Sequence, residues 1–134
     1  HRVDRRQRQM CIRDRYLYIF IGGALGTFIR YLLSFLNTND GFPSGTFIAN
    51  IIGAFFMSLL GSLAIRYFRN NPLLKKGMTS GFLGALTTFS TFQFELVGIL
   101  QQQAYVLFIT YALLSYIIGI FVCYIGVKMG AHLS

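Results

Sequence analysis

Four long apolar runs, at residues 16–36, 46–65, 77–100 and 104–127, decide what this chain can become. Each is close to the ~20 residues a helix needs to cross a bilayer core. In lipid a helix satisfies its own backbone hydrogen bonds, which an exposed loop or an open strand cannot do. A soluble fold of 134 residues would need charge to cover its surface, and only 12% of these residues are charged, against ~25% in an ordinary soluble domain. The chain therefore reads as a single all-α membrane domain of four transmembrane helices over residues 16–134.

The connectors carry the expected breakers. Asn37-Thr38-Asn39-Asp40-Gly41-Phe42-Pro43 joins the first two runs, residues 66–76 with Pro72 join the next two, and Gln101-Gln102-Gln103 precedes the last. Four spans put both ends of the domain on one side. That side holds Arg66, Arg69, Lys75, Lys76 and Lys128, and the other holds Arg30 alone. The positive-inside rule then places both ends in the cytoplasm.

Half of the formal charge of +8 lies in residues 1–15, where six Arg and two Asp give 6 − 2 = +4. That stretch begins with His1, and its Met10-Cys11-Ile12-Arg13-Asp14-Arg15 string resembles the translation of a sequencing-library adapter. It is read as a foreign or disordered basic tail and set apart from the domain. No signal-peptide pattern is expected there. With the basic excess confined to this tail and short loops, nucleic acid is not an expected partner. Cys11 and Cys123 form no disulfide framework and no metal spacing. His1 and His132 are terminal, and no nucleophile–base set points to an enzyme.

Inside the spans, each polar residue is informative, because burying one without a partner is costly. Arg30 lies near the outward end of the first span. It either snorkels to the interface or lends positive potential to the mouth of an anion pathway. Asn50 lies a turn into the second span, as an interhelical clasp or a pathway lining. The third span places Gly84, Thr87, Thr88, Ser90 and Thr91 among Phe89 and Phe92 at mid-membrane. Gly and Thr are poor helix formers and hydroxyls compete for backbone groups, so a helix break is expected there. Backbone freed at that depth must be buried in protein or line a polar cavity, and freed carbonyls of this kind hold Na⁺ in discontinuous membrane helices. Phe89 and Phe92, three apart, share a helix face, and their electropositive ring edges offer a small anion a site without a cationic side chain. Glu95 is the one acid within a span, expected in a hydrated vestibule or paired with a base. Tyr111 and Ser115, four apart in the fourth span, form either a hydroxyl track or ordinary interhelical bonds, with Thr110 and Tyr116 facing elsewhere. Gly22 with Gly26, Gly77 with Gly81, and Gly53 with Gly61 are spaced for close helix packing.

Three strings taken together are more specific than any of these features alone. Gly22-Gly23-x-x-Gly26-x-x-x-Arg30-Tyr31, Gly45-Thr46-x-x-x-Asn50-x-x-Gly53-x-Phe55, and Gly81-Phe82-x-Gly84-x-x-Thr87-Thr88-Phe89-Ser90-Thr91-Phe92 fall in order, one in each of the first three spans. They resemble the Fluc (CrcB-type) fluoride channels over residues 16–134. The resemblance implies a passive, fluoride-specific channel that lowers cytoplasmic fluoride in the plasma membrane of a prokaryote. It also implies an antiparallel dual-topology dimer with a structural Na⁺ at its interface, held by the backbone carbonyls of Gly84 and Thr87. The fluoride pathway it implies runs past Asn50, Thr88, Phe89, Thr91, Phe92, Tyr111 and Ser115, with Arg30 and Glu95 at its vestibule. One departure is Gly119, where the family often has a further hydroxyl. The five-to-one basic bias is unusual for a subunit that inserts both ways, so the partner is a second copy or an oppositely oriented paralogue. From other classes, a proton-coupled small multidrug-resistance-like transporter and a non-conducting four-helix scaffold remain. The first needs a membrane carboxylate, usually in the first span, where this chain has Arg30.

Overall fold

The computed structural model describes residues 2–37, 41–63 and 70–133. Asp40 in the first connector, and Arg66, Tyr67 and Arg69 with the end of the second predicted span, lie outside the described residues. Within them the regular structure is helical: α1 is Arg2–Ser34, α2 Ser44–Leu63, and α3 Pro72–Lys76. α3 runs directly into a π-helical stretch, Gly77–Leu83, and then into α4, Gly84–Leu86; α5 is Phe89–Gln101 and α6 Tyr105–Leu133. Four of these continuous stretches are long and apolar enough to cross a membrane, the third being the composite Pro72–Gln101. α1 extends back through residues 2–15, largely exposed, and α6 runs on to Leu133 rather than ending at residue 127.

Local chemistry sets the element ends. Pro43 precedes α2 and its carbonyl accepts the first helical bond from Phe47 N–H at 3.1 Å, while the Gly45 N–H donates to the Asn37 Oδ1 beyond α1 at 2.7 Å. Pro72 opens α3, where its missing N–H would have had no partner. Gln103 takes a left-handed conformation (φ 58°), and the Ala104 N–H reaches back to the Ile99 carbonyl at 3.3 Å. This tight closure sets α5 and α6 side by side in opposite directions.

The expected break in the third span is present. Thr87 (φ −82°, ψ 149°) and Thr88 (φ −152°, ψ 121°) are extended, which interrupts the helix between α4 and α5. The first half of the span lies against α1, and α2 packs most extensively on α6. The contact with α1 is close because it is made by backbone. A Cβ at Gly26 would run into the Phe82 carbonyl, and one at Gly22 into the Gly77 carbonyl. A small core of Ala49, Leu83 and Leu86 forms where α2 meets the first half of the third span, with Leu33, Leu60 and Phe82 around it. Large apolar side chains elsewhere point outward, Phe94 and Val106 among them, as a lipid-facing surface requires.

Candidate functional site

Two cavities flank α5. The larger, about 680 Å³, is lined by Asn50, Gly53, Ala54 and Met57 of α2, by Thr87, Thr88, Phe89 and Phe92 around the break, and by Ala112, Leu113, Ser115 and Tyr116 of α6. The smaller, about 330 Å³, is lined by Thr27, Arg30, Tyr31, Ser34, Asn37, Thr46, Thr91 and Glu95. The sequence-predicted residues thus divide between two spaces. Asn50, Thr88, Phe89, Phe92 and Ser115 line the first, and Arg30, Thr91 and Glu95 line the second.

Tyr111 lines neither. It is fully buried, with Phe42 and Phe92 against its ring at centroid separations of 5.3 and 5.1 Å. Its hydroxyl donates to Glu95 Oε2 at 2.9 Å, and Thr46 Oγ1 donates to Glu95 Oε1 at 2.6 Å. Glu95 therefore takes hydroxyl donors from α2 and α6 rather than the basic partner that was one expectation for it. Tyr116, which the sequence reading turns away, lines the larger cavity instead of Tyr111, and Thr46 emerges as a partner the sequence did not flag. The one clue to Thr46 was its position in the second motif, a turn before Asn50.

At the break, Asn50 Oδ1 accepts from the Thr88 N–H at 2.8 Å, and Asn50 Nδ2 donates to the Thr88 carbonyl at 3.2 Å. Thr88 then caps α5: its Oγ1 accepts from the Thr91 N–H at 3.3 Å and donates to Thr91 Oγ1 at 3.1 Å. These bonds have a consequence for the carbonyls before them. In an unbroken helix the Thr88 N–H would donate to Gly84, and the Thr91 N–H to Thr87. Both donors have turned elsewhere, so the Gly84 and Thr87 carbonyls are released from the helical ladder. Uncharged peptide oxygens of this sort suit a hard monovalent cation, and the described residues contain no group of three or more His, Cys, Asp or Glu that would hold a transition metal.

Around the larger cavity the donors are weak and spread out. Ser115 Oγ is buried without a protein partner, one Asn50 amide hydrogen remains uncommitted, and the Phe89 and Phe92 rings stand 6.1 Å apart. None of the twelve lining residues is charged. A small anion entering this space would meet hydroxyl and amide donors and ring edges, with no fixed cation to trap it.

The family described as "CrcB-like protein, Camphor Resistance (CrcB)" matches residues 17–127. A protein of Staphylococcus saprophyticus subsp. saprophyticus named "Fluoride-specific ion channel FluC 2" is 60% identical over 120 residues, covering 90% of this chain and 99% of that one. "Fluoride-specific ion channel FluC 1" of Staphylococcus aureus is 58% identical with the same coverage, and its Staphylococcus epidermidis namesake is 55% identical. With the match running through all four spans, including the broken third, the chain belongs to the CrcB-like family of multi-pass membrane proteins.

Proposed function

We propose that this protein is a passive fluoride-specific channel of a bacterial plasma membrane, releasing fluoride that has accumulated in the cytoplasm. The observation that carries the reading is an uncharged cavity at a helix break, rimmed by Phe89 and Phe92 and supplied with hydroxyl and amide donors. Fluoride is small, strongly hydrated and a strong hydrogen-bond acceptor, so stripping its water requires donors along the way. Ser115 and the uncommitted Asn50 amide hydrogen offer them, and the ring edges of Phe89 and Phe92 supplement them. Distributed weak sites allow the ion to leave as well as enter. Arg30 raises positive potential at the smaller cavity, which serves as a vestibule. There Glu95 has both oxygens engaged by hydroxyls, which tempers its repulsion of an anion.

The working unit is two copies in opposite orientations. A single chain provides two released carbonyls, Gly84 and Thr87, and a second copy would double them into a set suited to Na⁺. The Gly84 and Thr87 carbonyls of two copies would hold such an ion, which would supply a fixed positive charge between the two breaks. The five-to-one basic bias favours, as a second reading, pairing with an oppositely oriented paralogue.

The test is fluoride efflux from liposomes containing the purified protein. Fluoride should pass and chloride should not, and Phe89→Ile or Phe92→Ile should each cut the flux by roughly tenfold or more, a barrier change of ~1.4 kcal/mol. Wild-type flux in both variants removes these rings from the pathway. Proton-dependent export of organic cations would move the protein to the multidrug-transporter class. Silence alone and with a paralogue would leave a scaffold.

A further inference from the structure

We infer that Asn50 is a positioning residue that keeps the third span broken, acting on the pathway through the Thr88 backbone as well as lining it. The inference rests on the channel reading for its meaning but not for its geometry. A primary amide carries the same donor and acceptor as a peptide group. Here Asn50 spends one of each on a single residue, taking the Thr88 N–H at 2.8 Å and giving to the Thr88 carbonyl at 3.2 Å. Thr88 is extended, and an extended residue at this depth has no helical partner for its N–H or its C=O. The side chain of α2 replaces both.

The effect reaches the cation-type oxygens. If Asn50 were absent, the Thr88 N–H would be drawn back to the Gly84 carbonyl, closing the helical turn. Thr88 would then lose its capping geometry, and the Thr91 N–H would return to the Thr87 carbonyl. One amide thus governs both released oxygens and the phase at which Phe89 and Phe92 leave α5. A residue that merely contacted the ion would leave this backbone unchanged.

The experiment separates these roles by amide hydrogen exchange over residues 84–92 and by thermal unfolding in NaCl against N-methylglucamine chloride, both on the intact protein in detergent. Asn50→Leu, similar in size but without polar atoms, should change exchange across residues 84–92 by roughly thirtyfold, the size expected for two hydrogen bonds of ~1 kcal/mol each, and abolish the Na⁺-dependent rise in Tm. Asn50→Asp keeps an acceptor for the Thr88 N–H, so it should retain the Na⁺ response even where its charge suppresses fluoride flux. Phe89→Ile should lower flux with wild-type exchange and Na⁺ response. Residues 77–83, packed on α1, serve as the internal control for folding. Should Asn50→Leu fail to fold, Asn50→Ser, too short to span both Thr88 groups, takes its place with the same expectation. Wild-type exchange at 84–92 in these variants overturns the positioning role. Absence of any Na⁺ effect on the wild-type protein sinks the sodium reading alone, because the exchange measurement still decides the role of Asn50.

Discussion

The two halves of the third span are held by opposite means. Residues 77–86 press backbone to backbone on α1, where Gly22 and Gly26 leave no room even for a methyl group and Gly81 stacks on Ile19. Residues 88–101 are tied to their neighbours by directed polar bonds, Asn50 to Thr88 at the start and Thr46 and Tyr111 to Glu95 two turns on, beside the ring contact of Phe92 with Tyr111. Cavities lie on either side, and around Gly98 there is open space. Close packing has no tolerance and fixes one half as a foundation. Directed hydrogen bonds hold the other half in register while leaving volume beside it, which an ion pathway needs.

The sharpest way to break this contrast is a methyl group in the seam. Gly26→Ala puts a Cβ onto the Phe82 carbonyl, and neither atom belongs to a flexible side chain that could yield. The expected loss is about 3 kcal/mol or more, at the upper end for overpacking, seen as a collapsed yield of monodisperse protein and a lowered midpoint in denaturant. A near-wild-type midpoint would show that the seam can slide, and the foundation would then be no more rigid than the other half.

Next in size is the Glu95 cluster. Tyr111→Phe and Thr46→Val each strip one hydroxyl from a carboxylate within the membrane region and keep the shape of the side chain. Each should cost about 1–3 kcal/mol, the desolvation penalty of an oxygen left without its donor. The double variant should depart from additivity by at least ~0.5 kcal/mol, because both donors serve one group. Additive losses would mean that the two hydroxyls act separately, and α5 would then not be organised by Glu95. Tyr111→Phe should also leave the Phe92 ring contact in place, which confines its effect to the hydrogen bond.

How much of this the sequence discloses follows from the kind of interaction. Apolar runs are a bulk property, so the four spans are readable without knowing a single contact. The break is readable too, since Gly84, Thr87 and Thr88 disfavour helix whatever surrounds them. Partner choice is a matter of helix phase and reach. Positions four apart are offset by about 40° around a helix, enough for Tyr111 to turn its hydroxyl to Glu95 while Ser115 faces the larger cavity. The length of a tyrosine then lets Tyr116, one residue on, line that same cavity. Nothing in the pattern of residues forecasts that Glu95 would be met by two hydroxyls, because those donors come from spans 49 residues before and 16 residues after it. The π-helical turn at Gly77–Leu83 is likewise invisible to a 3.6-residue period.

The smallest effect carries a sign rather than a size. Gly98 lies within α5, and a Cβ built there meets nothing within 4 Å. Replacing an interior helical glycine by alanine removes backbone freedom from the unfolded chain and should stabilise by about 0.5–1 kcal/mol. The same substitution that wrecks the seam at Gly26 should therefore strengthen the span two helical segments later, read as a small rise in the denaturation midpoint. Gly119 in α6, equally open, should behave alike. If Gly98→Ala instead destabilises, another surface must lie against α5, and in a dimer of two opposed copies that surface would be the partner. Comparing the variant at high and low protein concentration would then locate the loss: a penalty seen only at high concentration maps α5 onto a contact between copies, and one seen at both shows that this half of the span is packed as tightly as the first.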